Sequence, residues 1–207
     1  MIDEYHTVWS DSCTEIKVQG SRFIGEASSA DSVESAERKL EQIRKREHAA
    51  THHCYAWRIG QGAEMTFKYS DDGEPNGTAG RPIYDVICGA DLTDTLVVVT
   101  RYFGGTKLGT GGLAHAYSDA ARLAIEQAGK VTKYLIARAH LTLEFSAYDR
   151  LMRAAQTLGA NTVDSQFAEN VTLTLEIRRS RLEELRRIFI ELTAGKGQID
   201  IPSAPSE

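Results

Sequence analysis

A switch between two hydrophobic periods, repeated through the last third of the sequence, leaves few folds open to that part of the chain. Leu141, Leu143 and Phe145 alternate, which is the period of a half-buried strand. Ser146 then offers an N-cap, and Tyr148, Leu151, Met152, Ala155 and Leu158 recur at helical spacing until Gly159 supplies a stop. Val163 to Phe167 and Val171 to Ile177 read as two strands joined through Glu169-Asn170. Ser180 with Glu183 makes a capping box, ahead of a helix whose apolar face is Leu182, Leu185, Ile188, Phe189 and Leu192. Gly195 and Gly197 end that helix, and Ile199 with Ile201 suggests a last strand. The order β-α-β-β-α-β predicts a ferredoxin-like C-terminal domain over residues 136–207. Ser203 to Glu207 reads as a frayed tail.

Residues 1–135 follow a different pattern and form a separate expected domain. Asp31 with Glu34 caps a helix with Val33, Ala36, Leu40 and Ile43 inward and Arg44-Lys45-Arg46 at its C-terminus. Tyr55, Trp57 and Ile59 alternate, as do Met65, Phe67 and Tyr69, which predicts a hairpin through Gly60-Gln61-Gly62. Leu96-Val97-Val98-Val99 is apolar throughout, so both faces of that strand should be covered. A long helix follows from about Leu113, with Tyr117, Ala120, Ala121, Ala124 and Ile125 inward and Gly129 at its end. The fold class is therefore α+β.

Composition narrows the function classes. The net charge of −5 on 207 residues argues against indiscriminate coating of nucleic acid, so any such role must rest on a local patch. No apolar run is long enough to span a bilayer, which predicts no membrane partner. The first residues lack the pattern of a secretory signal, and three widely spaced cysteines do not make a disulfide framework. These observations predict a cytoplasmic protein.

Two loops are rich in residues that carry chemistry. The first runs from Ser70 to Pro82 and places Asp71, Asp72 and Glu74 within four positions, among too many glycines and prolines for helix or strand. It reads as a Mg²⁺ site, a general acid/base pair, a binding loop, or a tight turn whose carboxylates satisfy backbone N–H groups. The second, Thr100 to Leu113, holds Gly104, Gly105, Gly109, Gly111 and Gly112 ahead of a helix N-terminus. Glycines let backbone N–H groups approach a ligand, and the helix end supplies partial positive charge, so the loop reads as an anion site. Arg81, Arg101 and Lys107 add full charge, and Tyr102 and Phe103 offer stacking faces. Neither the Walker A spacing nor a complete dinucleotide fingerprint is present.

His48, His52, His53 and Cys54 are close enough in sequence to raise zinc or a Cys–His nucleophile. A half-buried Cys54 with polar neighbours is the commoner arrangement. No catalytic constellation is complete, so catalytic residues, resident metal and cofactors are all read as none.

The two loops, Asp71-Asp72-Gly73-Glu74-Pro75-Asn76-Gly77-Thr78-Ala79-Gly80-Arg81-Pro82 and Arg101-Tyr102-Phe103-Gly104-Gly105-Thr106-Lys107-Leu108-Gly109-Thr110-Gly111-Gly112-Leu113, resemble the signatures of the YigZ/IMPACT family. Thr51-His52-His53-Cys54-Tyr55-Ala56 is similar to the segment that precedes them there. His115 departs from the family's preference for arginine, removing a positive charge beside the glycine loop. The resemblance implies a first domain with the β-α fold of a ribosomal small-subunit protein domain and of the fourth domain of elongation factor G. The second domain would be similar to that factor's fifth. Such a pair implies work near RNA or the ribosome. The eukaryotic member is a translational regulator that occupies the activator of the amino-acid-starvation kinase. That member has an extra N-terminal protein-binding domain with no counterpart in this sequence, so the resemblance does not carry its partner over.

The expectation is thus a non-enzymatic RNA- or ribosome-associated protein acting in translation or its regulation. Arg81, Arg101, Tyr102, Phe103, Lys107 and the five glycines would meet phosphate and base, with His52, Cys54, Asp71, Asp72 and Glu74 forming a second loop site. The alternatives are a protein–protein adaptor with a regulatory partner and a Mg²⁺-dependent enzyme on a phosphorylated small molecule.

Overall fold

The computed structural model describes residues 3–202; the tail Ser203 to Glu207 lies outside them. The chain divides into two compact units, Tyr5–Lys133 and Tyr134–Glu207, with Met1–Glu4 grouped with the second. Among the described residues no helix is long and apolar enough to cross a membrane.

In the first unit the elements follow as β1 (Glu4–Val8), β2 (Ser12–Val18), β3 (Ser21–Ser29), α1 (Val33–Arg46), β4 (His52–Ile59), β5 (Thr66–Ser70), α2 (Gly80–Gly89), β6 (Thr95–Tyr102), α3 (Gly109–Ala128) and β7 (Lys130–Tyr134). Five strands make an antiparallel sheet in the order β2-β3-β6-β4-β5, and β1 pairs with β7 in a small second sheet. The unbroken apolar run of β6 is explained by its place at the centre. Val97 and Val99 join the core under α2 and α3, and Leu96 and Val98 join the one under α1. β4 is covered in the same way, with Cys54 and Ala56 on one side and Tyr55, Trp57 and Ile59 on the other. The hairpin to β5 turns through a short 3-10 segment at Gly62–Glu64.

The inward face of α3 is built of alanines because the helix lies almost on the sheet. A Cβ added at Gly25 of β3 would come within 2.4 Å of the Ala120 carbonyl oxygen, so only glycine admits this approach. Among the larger residues of that face, Leu113, Tyr117 and Ile125, Tyr117 is fully buried, edge-on to Phe23 at 5.2 Å between centroids.

The second unit consists of β8 (Ile136–Leu143), α4 (Phe145–Thr157), β9 (Asn161–Phe167), β10 (Val171–Arg178), α5 (Leu182–Leu192) and β11 (Gln198–Asp200). Its sheet order is β11-β8-β10-β9, antiparallel throughout, with a register shift between Thr174 and Leu175. This is the ferredoxin-like order. Its core is a separate cluster that includes Leu141, Leu143, Leu151, Leu173, Leu175, Ile177, Leu185 and Phe189.

Several local expectations are corrected. Ser32, not Asp31, caps α1: its backbone is extended and its hydroxyl accepts from the Ser35 N–H at 3.2 Å. Ser146 lies inside α4 and not before it. The Ser180–Glu183 box does not form, because Arg179–Arg181 makes a 3-10 turn and the Ser180 N–H donates to Asp3 Oδ1. α3 begins four residues before Leu113. α2 begins inside what reads as a loop; its Pro82 falls in the first turn, where a missing N–H is harmless.

Candidate functional site

The acidic loop follows β5 and turns back into α2. Asp72 has φ +44° and Gly73 φ +88°, the left-handed pair that reverses the chain. Asp71 then points at the start of α2: its Oδ1 accepts from the Ala79 and Gly80 N–H groups at 2.9 and 2.8 Å, and its Oδ2 from Gly77 N–H at 2.8 Å. A carboxylate eight residues upstream thus does the work of an N-cap for a helix that lacks one. Asp72 Oδ2 accepts from the His53 N–H at 2.7 Å, and Arg44 of α1 reaches its Oδ1 at 3.4 Å. The Cys54 thiol donates to the Asp71 carbonyl at 3.0 Å, and His52 Nδ1 to the Asp72 carbonyl at 2.8 Å.

Glu74 joins this loop to the glycine loop. Its Oε1 accepts from Arg101 Nη1 at 2.6 Å and from the Tyr117 hydroxyl at 2.7 Å, with His52 Nε2 at 3.9 Å. The Glu74 and Arg101 side chains are only 4% and 5% exposed, so this is a buried ion pair. Arg101 Nη2 donates to Ser21 Oγ at 3.3 Å, and the same oxygen accepts from the Gly104 N–H at 3.1 Å. The Arg101 guanidinium lies between the Phe23 and Phe103 rings, 5.4 Å from each centroid, and its Nε has no partner. Burial pushes both the Cys54 thiol and the Tyr117 hydroxyl far above their ordinary ranges. Neither is a ready nucleophile at neutral pH. Burial also lowers His53, whose Nδ1 lies 3.2 Å from Thr100 Oγ1.

In the glycine loop the five glycines have different reasons. Gly104 is a packing requirement: a Cβ there would fall 1.9 Å from the Gly20 carbonyl carbon. Gly105 and Gly109 have φ of +87° and +75°, and Gly109 and Gly111 have open space where a side chain would be. Gly112 is half-buried, 3.1 Å from Leu108 Cβ by the same construction. No side chain caps α3, so the N–H groups of Gly109-Thr110-Gly111-Gly112 begin a twenty-residue helix at the surface. Lys107 is exposed beside them and takes part in none of the ion pairs among the described residues.

The structure therefore divides the sequence-predicted residues into a frame and a surface. Arg101, read from sequence as a phosphate ligand, is an internal cation held by Glu74; its charge is already compensated. Cys54 is fully buried, not half-buried. Asp71, Asp72 and Glu74 do not face a shared cation, since backbone N–H groups, Arg44 and Arg101 engage them separately. No three His, Cys, Asp or Glu side chains among the described residues converge as a metal site. Tyr102 is also committed: its hydroxyl donates to Glu47 at 2.8 Å, and Arg22 lies 4.5 Å above its ring. Phe103 is half-exposed, and Arg81 is exposed but paired with Asp85 at 2.7 Å. Sequence reasoning missed Ser21 and the polar role of Tyr117. A hydroxyl on an otherwise apolar helix face was the signal for the latter.

The family described as the Impact N-terminal domain matches residues 19–125, and a domain of unknown function, DUF1949, matches residues 141–196. The chain is 33% identical to the IMPACT family member YvyE of Bacillus subtilis, over 96% of this chain and 91% of that one. It is 29% identical to the IMPACT family member YigZ of Escherichia coli, over 88% and 90%. A crystal structure described as that of a hypothetical protein superposes with a TM-score of 0.69 at 26% identity, covering 99% of this chain and all of the other. With a matching N-terminal profile and full-length relatives of this identity, the chain belongs to the IMPACT family.

Proposed function

We propose that this protein is a non-enzymatic RNA- or ribosome-associated factor that acts in translation or its regulation, and that it grips phosphate at the N-terminus of α3. The observation that carries the reading is the uncapped first turn of α3, open at Gly109 and Gly111, with an uncommitted Lys107 beside it. Backbone N–H groups that have no partner in the helix, set at its positive end, suit an oxyanion. The buried frame supports the same reading from below. Glu74, Arg101, Ser21 and Tyr117 fix the loop's entry at Gly104, so the exposed part is presented from a rigid base. Arg101 is a positioning residue in this account, and the direct contacts belong to Lys107, Gly105, Gly109, Gly111 and Gly112.

The test is RNA affinity as a function of salt. Lys107→Glu should weaken binding and flatten the slope of log affinity against log salt by about one to two counterions. An unchanged slope and affinity would remove the loop from the interface.

A further inference from the structure

Outside both loops, three aromatic rings stand together at the edge of the first unit's sheet. Phe67 and Tyr69 lie two residues apart on β5, opposite Arg58 and Ala56 of β4, and so share the face of the sheet that carries α2. Tyr84 of α2 meets both. The Phe67 and Tyr69 rings are 14° from parallel with centroids 6.4 Å apart, and Tyr84 lies 4.8 Å from the first and 5.8 Å from the second. Such a cluster would ordinarily be core. Here Phe67 is 49% and Tyr69 39% exposed, on a strand with no neighbour beyond it among the described residues. Aromatic surface gathered in one place and left in water marks a contact.

The charge around the rings says which contact. Arg58 stands opposite Phe67 in the β4–β5 register, with its Nη1 donating to the Leu92 carbonyl at 3.1 Å, and Arg81 sits one turn before Tyr84 in α2. The exposed Arg81 side chain pairs with Asp85 at 2.7 Å, and an exposed pair of this kind exchanges readily for a phosphate. Flat π-faces flanked by arginines match the alternation of base and phosphate along an unpaired strand. A peptide adding to the edge of β5 would use backbone hydrogen bonds and leave the ring faces idle. The position is also continuous with the loop frame. Tyr69 leads directly into Ser70 and Asp71, and Gly80 at the start of α2 packs on the Ser70 backbone, where a Cβ would lie within 2.7 Å.

We infer that Phe67, Tyr69 and Tyr84, with Arg58 and Arg81, form a stacking platform for single-stranded nucleic acid. The inference rests on the phosphate-binding reading for the class of ligand and adds where unpaired bases are held. The bases lie on the rings while the arginines and the α3 N-terminus take the backbone.

The experiment measures binding of the full chain to a labelled oligouridylate and to the same strand annealed to oligoadenylate, in low salt. Wild type should prefer the single strand. Phe67→Ala/Tyr69→Ala should lose about tenfold or more on the single strand, little on the duplex, and keep the wild-type salt slope. Phe67→Leu keeps the apolar volume but removes the ring and should lose affinity as well, while Phe67→Trp should retain it. Equal binding by wild type and the double Ala variant would overturn the platform, as would equal losses on single strand and duplex. No binding of oligouridylate by the wild type would also overturn it. Failure of the glycine-loop reading looks different: Lys107→Glu would then leave affinity and slope unchanged while the ring variants still lost binding.

Discussion

At the scale of single residues the decisive pair is Glu74 and Arg101. Both are buried, and each has been withdrawn from water in favour of the other, a hydroxyl and a serine. A buried pair of this sort adds little net stability, yet removing one partner leaves an unpaired charge in the interior. Glu74→Gln should therefore lower the unfolding free energy by about 3–5 kcal/mol, read by denaturant titration. Arg101→Met in the same background should recover part of that loss, so the double variant is less damaged than the two single effects summed. Full additivity would mean that the ion pair does not join the loops. Sequence alone made both residues look like ligands. It could not show that one carboxylate and one guanidinium would consume each other, because 27 positions separate them.

At the scale of elements, the parts that were legible are those whose pattern is local. The periodicity of α4, β10 and α5, the all-apolar β6 and the β4–β5 hairpin follow from neighbouring residues, and their structure agrees. What was illegible depends on distance. β2 is a half-exposed edge strand whose signal was present and passed over: Thr14, Ile16 and Val18 alternate with Glu15 and Lys17, and burial alternates with them. α2 hides behind Gly80-Arg81-Pro82 because its cap is Asp71, out of the helix and out of sequence range. That dependence is testable. Asp71→Ala should cost about 2 kcal/mol, and amide exchange at Gly77, Ala79 and Gly80 should speed up first. Unchanged protection at those three amides would show that the carboxylate is not the cap. The candidate site was legible as two loops and illegible as a junction: the pairing of Arg101 with Glu74 and the close packing of Gly104 on Gly20 needed the fold.

At the scale of the whole molecule, each unit has its own core: two clusters on either side of the sheet in Tyr5–Lys133, and one in Tyr134–Glu207. Leu173 is fully buried in the second core, so Leu173→Ala should cost about 2–5 kcal/mol there. Hydrogen exchange should then quicken in β8, β10 and α5 while β6 keeps its protection. Equal loss in β6 would mean that the two units unfold as one. In the proposed role the first unit carries the contact surface, and its frame is fixed by buried polar groups below an exposed glycine turn. The claim on which this account stands is that the turn meets phosphate. Cosedimentation of the full chain with ribosomes across a salt series, beside Lys107→Glu, tests it most directly. The account predicts salt-sensitive binding that the variant largely loses. Binding equal in both proteins at every salt concentration, or none at low salt, would contradict it.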